Sequence, residues 1–563
     1  MYKTFIARVL ALSLVAIAIP ARAQIAIPPG LEPGQIQRGL HELRLPERSP
    51  LQVAPPSPEQ VAPANAADLK FVVRGVTIEG VTVYEPSTLT KAFTLGQEIS
   101  VAQVFRVANE LTARYRRDGY VLSQVLVPAQ DIKGGQLKLL AVEGYVDHVQ
   151  LRGNVAADDA LLTRYAVQLK AARPLTSAAL ERYLLLINDL ARVRGRGTLV
   201  PSATTPGAAD LVVDVAREYT TVSVASNNRS SRSLGTKRAN FDFGSYGLIG
   251  EWDHVGVHAG SSLDDKLLFV GLDYGSAFGG HGLQWDLSTT GVRARPGRAA
   301  NLETTDLETR SIAAQLELRA PLLRSRAQNL YLRAVLTTFD GQSEFASADL
   351  SDDKIRAIRL GLSYDLADGA RGINTLDFEV ARGLDALGAR KEGTETSPLS
   401  RADGRSDFTK ATLYLARLQS LGTAWGGAWS ALGALSAQHA FTTLLAPELF
   451  AFGGDTFGRG YDASELAGDS GEAFKFELRY AGAFPERGVA GYSVYGFYDV
   501  GRVKFREPVN ERDSEHASAA GLGLRLTSQR WQGLVEYAIP LDHDVAAEGN
   551  RDARFFFGIQ VGM

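Results

Sequence analysis

The residues best suited to specific chemistry are one arginine and two carboxylates near the C-terminus. Arg459 lies in the glycine-rich stretch FGGDTFGRGYD (452–462), and Glu477 and Asp499 lie in the next two apolar segments. A guanidinium presents its N–H donors in a rigid fork that matches a carboxylate. These residue types therefore predict a charge-paired contact that pins a loop, and no acid/base pair in the sequence indicates an enzyme.

The two segments that carry these carboxylates alternate between apolar and polar residues. In FKFELRY (474–480), Glu477 shares its face with a lysine and an arginine, opposite the aromatic side chains. In GFYDVGR (496–502), one face carries an aromatic ring, a carboxylate and a position without a side chain: Phe497, Asp499 and Gly501. A period of two makes strands with two different faces. An apolar outside and a charged inside are typical of a transmembrane β-barrel.

The loop and the strands together resemble the outer-membrane transporters of two-partner secretion (the TpsB type, or haemolysin secretion-activation family), which are relatives of the BamA-like assembly proteins. The resemblance implies that the loop folds back into the barrel. The implied contact joins the loop tip to the barrel wall: Gly458, Arg459, Gly460 and Tyr461 on the loop, and Phe497, Asp499, Gly501 and Glu477 on the wall. The family has a valine at the position of Gly458, so we expect a more flexible tip here. The alternative is a solvent-exposed hairpin arginine.

Two further motifs have ordinary interpretations. Gly468-Asp469-Ser470-Gly471 imitates the nucleophile loop of serine proteases, but that chemistry also needs a positioned histidine and acid on a suitable fold. Two histidines lie four residues apart on a predicted strand and share a face: His254 and His258. Two imidazoles could bind a metal, but the sequence shows no third ligand. We therefore predict no catalytic site and no metal site, and we interpret the histidines as unrelated wall residues.

The N-terminus and the composition predict export. Residues 1–23 combine a basic start, a short apolar stretch and the small-residue sequence Ala21-Arg22-Ala23, as a cleaved secretory signal does; the alternative is a membrane anchor. The chain of 563 residues has no cysteine, which excludes disulfides and thiolate metal sites. A formal net charge of −3 gives no support for nucleic-acid binding, and we expect no cofactor.

Residues 24–45 contain a short amphipathic helix candidate. Its apolar side chains are spaced by four and three residues: Ile36, Leu40 and Leu43. Such a helix is too short to be stable alone in water. The resemblance implies that it plugs the barrel pore; the alternative is a frayed N-terminus. Residues 46–67 are rich in proline and predict an extended, semi-rigid linker.

Residues 68–144 predict one compact α/β unit. Its helix begins at the capping-box sequence Ser100-x-x-Gln103 and ends at Gly119. The phrase GYVLSQVLVPAQDIKGGQLKLLAVEG, which closes this unit, resembles a polypeptide-transport-associated (POTRA) domain. Residues 145–217 repeat the plan more loosely, and we expect a second POTRA domain there.

The pattern of residues 218–563 predicts a long series of consecutive β-strands. About sixteen segments have the length and alternation of membrane-spanning strands, an even number as bacterial barrels require. A soluble β-sandwich is the alternative, but the second face of these segments is repeatedly charged or glycine, which does not suit a dry interior. We therefore predict a transmembrane barrel of antiparallel strands, preceded by two periplasmic POTRA domains and a pore-plugging helix.

The resemblance implies an outer-membrane translocator of a Gram-negative bacterium. It would recognise an unfolded exoprotein in the periplasm through its POTRA domains and secrete it through the barrel. The expected partners are that TpsA-type cargo, outer-membrane lipid and lipopolysaccharide. We expect a monomer, and a weak dimer is the alternative. The main alternative is a BamA-like factor that assembles other barrels, and a passive porin would not need the α/β domains.

Overall fold

The computed structural model describes residues 29–38, 60–156, 158–205, 207–297, 307–484, 489–509 and 512–562. The predicted signal peptide (1–23), residues 46–59 of the linker, and Leu40 and Leu43 of the plug helix lie outside the described residues. Among the described residues, no helix has both the length and the apolar character that crossing a bilayer requires. The first described element is a short turn, Pro29–Leu31, followed by helix α1, Pro33–Arg38.

The first α/β unit packs one long helix on a small sheet. Its elements are β1 (Lys70–Val72), β2 (Gly75–Glu79), α2 (Pro86–Thr90), β3 (Glu98–Ser100), α3 (Val101–Arg117), β4 (Gln124–Leu126) and β5 (Gln136–Val142). The main sheet has the order β2-β5-β4, and β1 pairs with β3. Ser100 and Gln103 form the predicted capping box. The buried face of α3, which includes Val104, Leu111 and Tyr115, packs in the same cluster as the β5 side chains.

Two details of this unit differ from a simple alternation of elements. The stretch from Phe71 to Ile78 reads as one strand in the sequence but forms two, because the chain changes sheets after Val72 and pairs first with β3 and then with β5. The carboxylate of Glu143 accepts hydrogen bonds from the backbone of Thr82 and from the Tyr115 hydroxyl, at 2.9 and 2.8 Å. Burial alone would raise the pKa of this carboxyl, but the combined hydrogen bonds hold it below its usual value.

The second α/β unit places two helices on one face of a three-stranded sheet. Its elements are β6 (Val146–Gly153), α4 (Ala160–Ala171), α5 (Ser177–Asn188), β7 (Val193–Pro201) and β8 (Ala209–Arg217), with sheet order β6-β8-β7. Its core contains Leu162 and Tyr165 of α4 and Leu184 of α5, packed on Leu211 and Val213 of β8. The unit ends directly before the first barrel strand.

Sixteen strands within the described residues close into an antiparallel barrel. They are β9 (Thr220–Asn227), β10 (Arg238–Tyr246), β11 (Asp253–Ser262), β12 (Leu267–Phe278), β13 (Leu283–Ala294), β14 (Leu307–Arg324), β15 (Gln328–Phe345), β16 (Ala348–Ala367), β17 (Gly372–Gly383), β18 (Thr409–Ala424), β19 (Gly427–Ala440), β22 (Ser470–Phe484), β23 (Val489–Val509), β24 (Arg512–Thr527), β25 (Trp531–Pro540) and β26 (Arg554–Gly562). We call the end at which β9 begins the near end and the opposite end the far end.

The outer surface of the barrel is apolar, as the alternation predicts. Leu268, Val270 and Leu272 on β12 are exposed, whereas Phe269 between them is buried in the interior. Aromatic rings cluster at the near end, where Trp429 contacts Trp425 and Tyr480 edge-on or tilted. An apolar band with an aromatic girdle is typical of a barrel in a lipid bilayer.

A long connection between β19 and β22 folds back into the barrel from the far end. We call residues 441–469 the inward loop; it contains β20 (Phe450–Phe452) and β21 (Leu466–Gly468), which pair with each other. Phe452 and Tyr461 of the loop are buried with Ala519 and Val503 of the barrel wall. The loop therefore occupies the lumen as a packed element with its own small sheet.

Candidate functional site

The tip of the inward loop is joined to the barrel wall through Arg459 and Asp499. The guanidinium donates from Nε and Nη2 to the two carboxylate oxygens, at 2.8 and 2.6 Å. The backbone N–H groups of Gly458 and Arg459 also donate to Asp499 Oδ2, at 3.1 and 3.0 Å. Both charged side chains are almost completely buried, at 3% and 0% exposed. Asp499 therefore binds the side chain and the backbone of the tip at once.

Glu477 provides a second, shared carboxylate for the same arginine. It accepts a short hydrogen bond from Arg459 Nη1. Arg479 on the same strand donates to it from Nε at 2.6 Å, and both terminal nitrogens of Arg525 approach it at 3.3 Å. Glu477 therefore still has Arg479 and Arg525 as partners if Arg459 moves away. The hydrogen bonds of Asp499 described above all come from the loop tip, so Asp499 would lose them together.

The other two members of the predicted wall set shape the contact. The Phe497 ring lies under the Arg459 guanidinium, 3.8 Å from centroid to Cζ, in a cation–π arrangement. Gly501 leaves the space into which the Phe452 ring projects. On one face of β23, the Phe497 ring and the Asp499 carboxylate thus both contact Arg459, and the open position at Gly501 receives Phe452.

The glycines of the tip have structural reasons of their own. Gly458 has a φ of +81°, a conformation that a valine rarely adopts, and a Cβ there would be 2.7 Å from the Phe452 ring. Gly460 approaches Ala519, whose Cβ would be 3.0 Å from an added methyl group. The glycine that replaces the family's valine therefore provides a specific backbone shape, which the sequence analysis had treated only as flexibility.

Tyr461 and Asp462 extend the contact around the barrel. The Tyr461 hydroxyl donates to the carbonyl of Ser518 at 2.8 Å. Asp462 accepts from Arg554 Nη2 at 2.5 Å, and both side chains are buried. The sequence predicts a role for Tyr461 but not the Asp462–Arg554 pair, for which the position of Asp462 beside the tip is the one available signal.

The base of the inward loop has a separate charged attachment, which the sequence analysis also missed. Glu448 accepts from Arg359 Nη2 at 2.6 Å and lies 2.7 Å from Lys410 Nζ. Both partners project from strands far from the loop in sequence. The loop is therefore held at its base and at its tip by different sets of charges.

The N-terminal segment lies inside the barrel against the inward loop. Leu31 and Ile36 are buried with Leu267 and Val292 of the wall, toward the far end. Gln35 donates to the carbonyl of Ala446 at 2.7 Å and accepts from Ser464 Oγ at 3.1 Å. We call residues 29–38 the pore segment.

The protease-like motif serves the loop structure. Asp469 accepts from Arg401 Nη1 and from the backbone of Leu444, both at 2.7 Å. Ser470 Oγ accepts from the backbone N–H of Ala440 at 3.0 Å. These hydrogen bonds fix the return of the chain into β22 and account for both residues without catalysis.

The interpretation of the two histidines as unrelated is wrong. His254 Nε2 and His258 Nε2 lie 3.6 and 2.6 Å from the two oxygens of Asp273 on the neighbouring strand. The sequence could not show this, because the aspartate belongs to another strand and only the strand register brings it between the imidazoles.

Comparisons with known proteins agree on the class of fold. The family model of haemolysin secretion/activation protein ShlB/FhaC/HecB matches residues 207–526, and the model of the ShlB-type POTRA domain matches residues 71–144. The heme/hemopexin transporter protein HuxB of Haemophilus influenzae is 22% identical over 85% of this chain and 85% of its own length. The hemolysin transporter protein HpmB of Proteus mirabilis is 23% identical over 80% and 79%. The solved structure of CdiB from Escherichia coli has the same fold, with a TM-score of 0.73 at 19% identity over 90% of this chain and 94% of that one.

Proposed function

Because this chain belongs to the haemolysin secretion/activation protein family, the outer-membrane transporters of two-partner secretion, we propose that it exports one unfolded exoprotein of the TpsA type. The barrel lies in the outer membrane and the POTRA domain at residues 71–144 in the periplasm. The near end of the barrel is therefore periplasmic and the far end extracellular. HuxB and HpmB are named for different cargo. Because the cargo differs between these relatives, we propose that this chain also has a cargo protein of its own.

Recognition of the cargo is assigned to the two α/β units, residues 68–144 and 145–217, the second of which we interpret as another POTRA domain. Their sheets have the orders β2-β5-β4 and β6-β8-β7, so each sheet ends in strands that pair on one side only with the strands described here. An extended polypeptide can pair with such an edge through backbone hydrogen bonds, which tolerates many side chains. This mode suits a cargo that arrives unfolded.

The observation that carries the proposal is the buried contact between Arg459 and Asp499. It holds a large loop inside a lumen through which the cargo must pass. Removal of one partner from a buried pair costs about 3–5 kcal/mol in dry sites and less where water enters. A contact of this strength can position the loop and can still be broken when the cargo passes. After it breaks, Glu477 retains Arg479 and Arg525 as partners.

The pore segment acts as a plug that must leave. Among its described side chains, Gln35 donates to the loop carbonyl of Ala446 and accepts from Ser464 Oγ. Glu32 is buried, and its Oε2 has no hydrogen-bond partner among the described residues. A buried unsatisfied polar group costs about 1–3 kcal/mol, which lowers the stability of the docked state. Residues 46–67 then serve as the tether that retains the released segment.

The alternative of a BamA-like assembly factor is not adopted, because the family model that matches the barrel is that of the secretion proteins. We further propose that the protein works as a monomer surrounded by outer-membrane lipid and lipopolysaccharide. Its closed sheet supplies a complete pore from a single chain.

The proposal is tested by co-expression with a candidate exoprotein of the TpsA type. The wild-type chain is expected to release the cargo into the medium, and Arg459→Ala to retain it in the periplasm at equal surface level and heat-modifiability. Arg502→Ala is the matched control, since Arg502 lies on the same strand as Asp499 but is exposed. Normal secretion by Arg459→Ala would show that secretion does not require the Arg459–Asp499 contact.

A second measurement separates recognition from export. Purified 68–217 is expected to bind an unfolded N-terminal fragment of the cargo weakly, with a Kd in the micromolar range. Binding by the full chain without binding by this fragment would locate the recognition surface elsewhere.

A further inference from the structure

A second group of titratable side chains lines the inner wall toward the periplasmic end of the barrel. Four adjacent strands contribute to it: Asp242 on β10, His254 and His258 on β11, Asp273 on β12 and Asp286 on β13. The register of these strands brings the five residues to neighbouring positions on the lumen face. None of them takes part in the loop contact described above.

Gly256 allows Asp273 to reach between the two histidines. A Cβ at residue 256 would lie 2.2 Å from Asp273 Oδ1. With that space free, Asp273 Oδ1 lies 2.6 Å from His258 Nε2, and Oδ2 lies 3.6 Å from His254 Nε2. Asp286 Oδ2 is 2.9 Å from the same His254 nitrogen. One imidazole nitrogen therefore faces two carboxylate oxygens from two different strands.

We propose that His254 Nε2, Asp273 Oδ2 and Asp286 Oδ2 bind a divalent transition-metal ion of the zinc type. One ligand atom from each of these residues lies within 4.8 Å of the other two. Around zinc with bonds of about 2.1 Å, tetrahedral ligand atoms are roughly 3.4 Å apart. Small side-chain rotations are enough to reach that geometry. The imidazole ligand favours Zn²⁺ over Mg²⁺ and Ca²⁺, which prefer oxygen ligands alone.

Asp242 and His258 support the site without binding the ion. His258 Nδ1 lies 2.8 Å from Asp242 Oδ1, and its other nitrogen contacts Asp273 Oδ1. This chain of contacts fixes the Asp273 carboxylate with its second oxygen toward His254. Outer partners of this kind orient metal ligands, and their loss typically weakens metal affinity about 10–100-fold. His258 is thus a positioning residue.

An adjoining cavity of about 220 Å³ supplies the remaining coordination position. It is lined by His254, Asp286 and Glu317 of the barrel and by Asp189 and Leu190 at the end of α5. Glu317 is the cross-strand neighbour of Asp286. The cavity can therefore hold a water molecule as the fourth ligand, and Glu317 can accept a hydrogen bond from it or replace it.

The position of the cavity gives the metal a structural consequence. Asp189 of the second α/β unit accepts a forked pair of hydrogen bonds from Arg324 of β14, at 2.7 and 2.6 Å. Gln284 of the barrel donates to the Asp189 carbonyl at 3.2 Å. A metal bound beside this junction joins three barrel strands at the point where the periplasmic unit rests on them, and thereby stiffens that junction.

The test uses the full-length protein in detergent, stripped of metal with a chelator. Titration with Zn²⁺ followed by calorimetry, and with Co²⁺ followed by its visible spectrum, is expected to show one site of micromolar affinity or better. Mg²⁺ is expected to give no heat of binding. His254→Gln and Asp286→Asn should each abolish the site, and His258→Gln should weaken it 10–100-fold.

His148→Gln is the matched control, because His148 is the exposed member of a second three-residue group, with Asp147 and Asp210, on the second α/β unit. This variant should bind Zn²⁺ as the wild type does. The heat-dependent shift in electrophoretic mobility shows that each variant forms a folded barrel. If His254→Gln does not insert into the membrane, Asp286→Asn provides the same test. The proposal is overturned if the wild type binds no Zn²⁺ at micromolar concentrations, if both ligand variants retain the site, or if His148→Gln removes it.

Discussion

The ring of Phe452 occupies the space that a side chain at Gly501 would need: a Cβ added there would lie 2.1 Å from a ring carbon. The inward loop and the barrel wall are therefore complementary in shape as well as in charge. Phe452 is completely buried, and it packs in one cluster with Tyr461 of the loop and with Val503 and Ala519 of the wall. We therefore expect docking of the loop to depend on this glycine as well as on Arg459.

Gly501→Val should displace the loop from the wall. Overpacking of this kind costs about 1–3 kcal/mol, and we expect reduced secretion with normal insertion of the barrel. Phe452→Ala in the same chain should restore part of the loss, because it removes the atoms that clash. Secretion of the two single variants and the double variant measures the coupling; additive losses would mean that the two positions do not meet in the working protein.

Arg459→Lys should fail nearly as completely as Arg459→Ala. A lysine supplies the charge but cannot donate to both oxygens of Asp499 and to Glu477 at once. The charge swap Arg459→Asp with Asp499→Arg should also fail, because Asp499 accepts the backbone N–H groups of Gly458 and Arg459, and an arginine has no acceptor for them. Secretion assays of the three variants distinguish a forked hydrogen-bonded contact from a simple attraction between opposite charges. If the attraction alone mattered, the charge swap would restore secretion.

The pore segment should respond in opposite directions to two substitutions. Gln35→Ala removes the contacts with Ala446 and Ser464 and should increase the open fraction of single channels in planar bilayers. Glu32→Gln replaces the buried carboxyl, whose Oε2 has no hydrogen-bond partner among the described residues, with a neutral amide and should decrease that fraction. Deletion of residues 24–45 should raise the conductance most. Unchanged currents in all three proteins would contradict the assignment of this segment as a plug.

The first α/β unit should lose stability as the pH falls. Because the pKa of Glu143 is held below its usual value, its hydrogen bonds stabilise the folded unit above the ordinary glutamate range and are lost as the pH falls through the lowered pKa. Glu143→Gln should reduce hydrogen-exchange protection of α3 by about 1 kcal/mol at neutral pH. The difference from wild type should disappear in acid; a difference that persists there would point to packing instead.

The sequence predicted the parts of this molecule that depend on local periodicity. Alternation in the segments around Glu477 and Asp499 was enough to assign both carboxylates to the lumen, and the capping box at Ser100 located the start of α3. The inward position of the loop came from a family resemblance, since no local pattern determines whether a glycine-rich loop faces water or folds into a barrel.

The remaining contacts depend on register between distant strands. Arg525 approaches Glu477 across 48 residues, and Glu448 meets Arg359 across 89. Asp273 lies between two histidines only because Gly256 is opposite it in the neighbouring strand. Such pairs leave no trace in the spacing of a single sequence, so they become visible only once the strands are aligned.

We expect this single chain to move an unfolded protein across a membrane through its barrel. Proteoliposomes containing only this protein, with the α/β units facing outward, would be incubated with the denatured N-terminal fragment of the exoprotein and then with protease. We expect protected fragment inside the vesicles for the wild type, and none for Arg459→Ala or for empty liposomes. Equal protection with Arg459→Ala would show that transport does not need the loop contact, and no protection with the wild type would show that this chain does not transport the fragment.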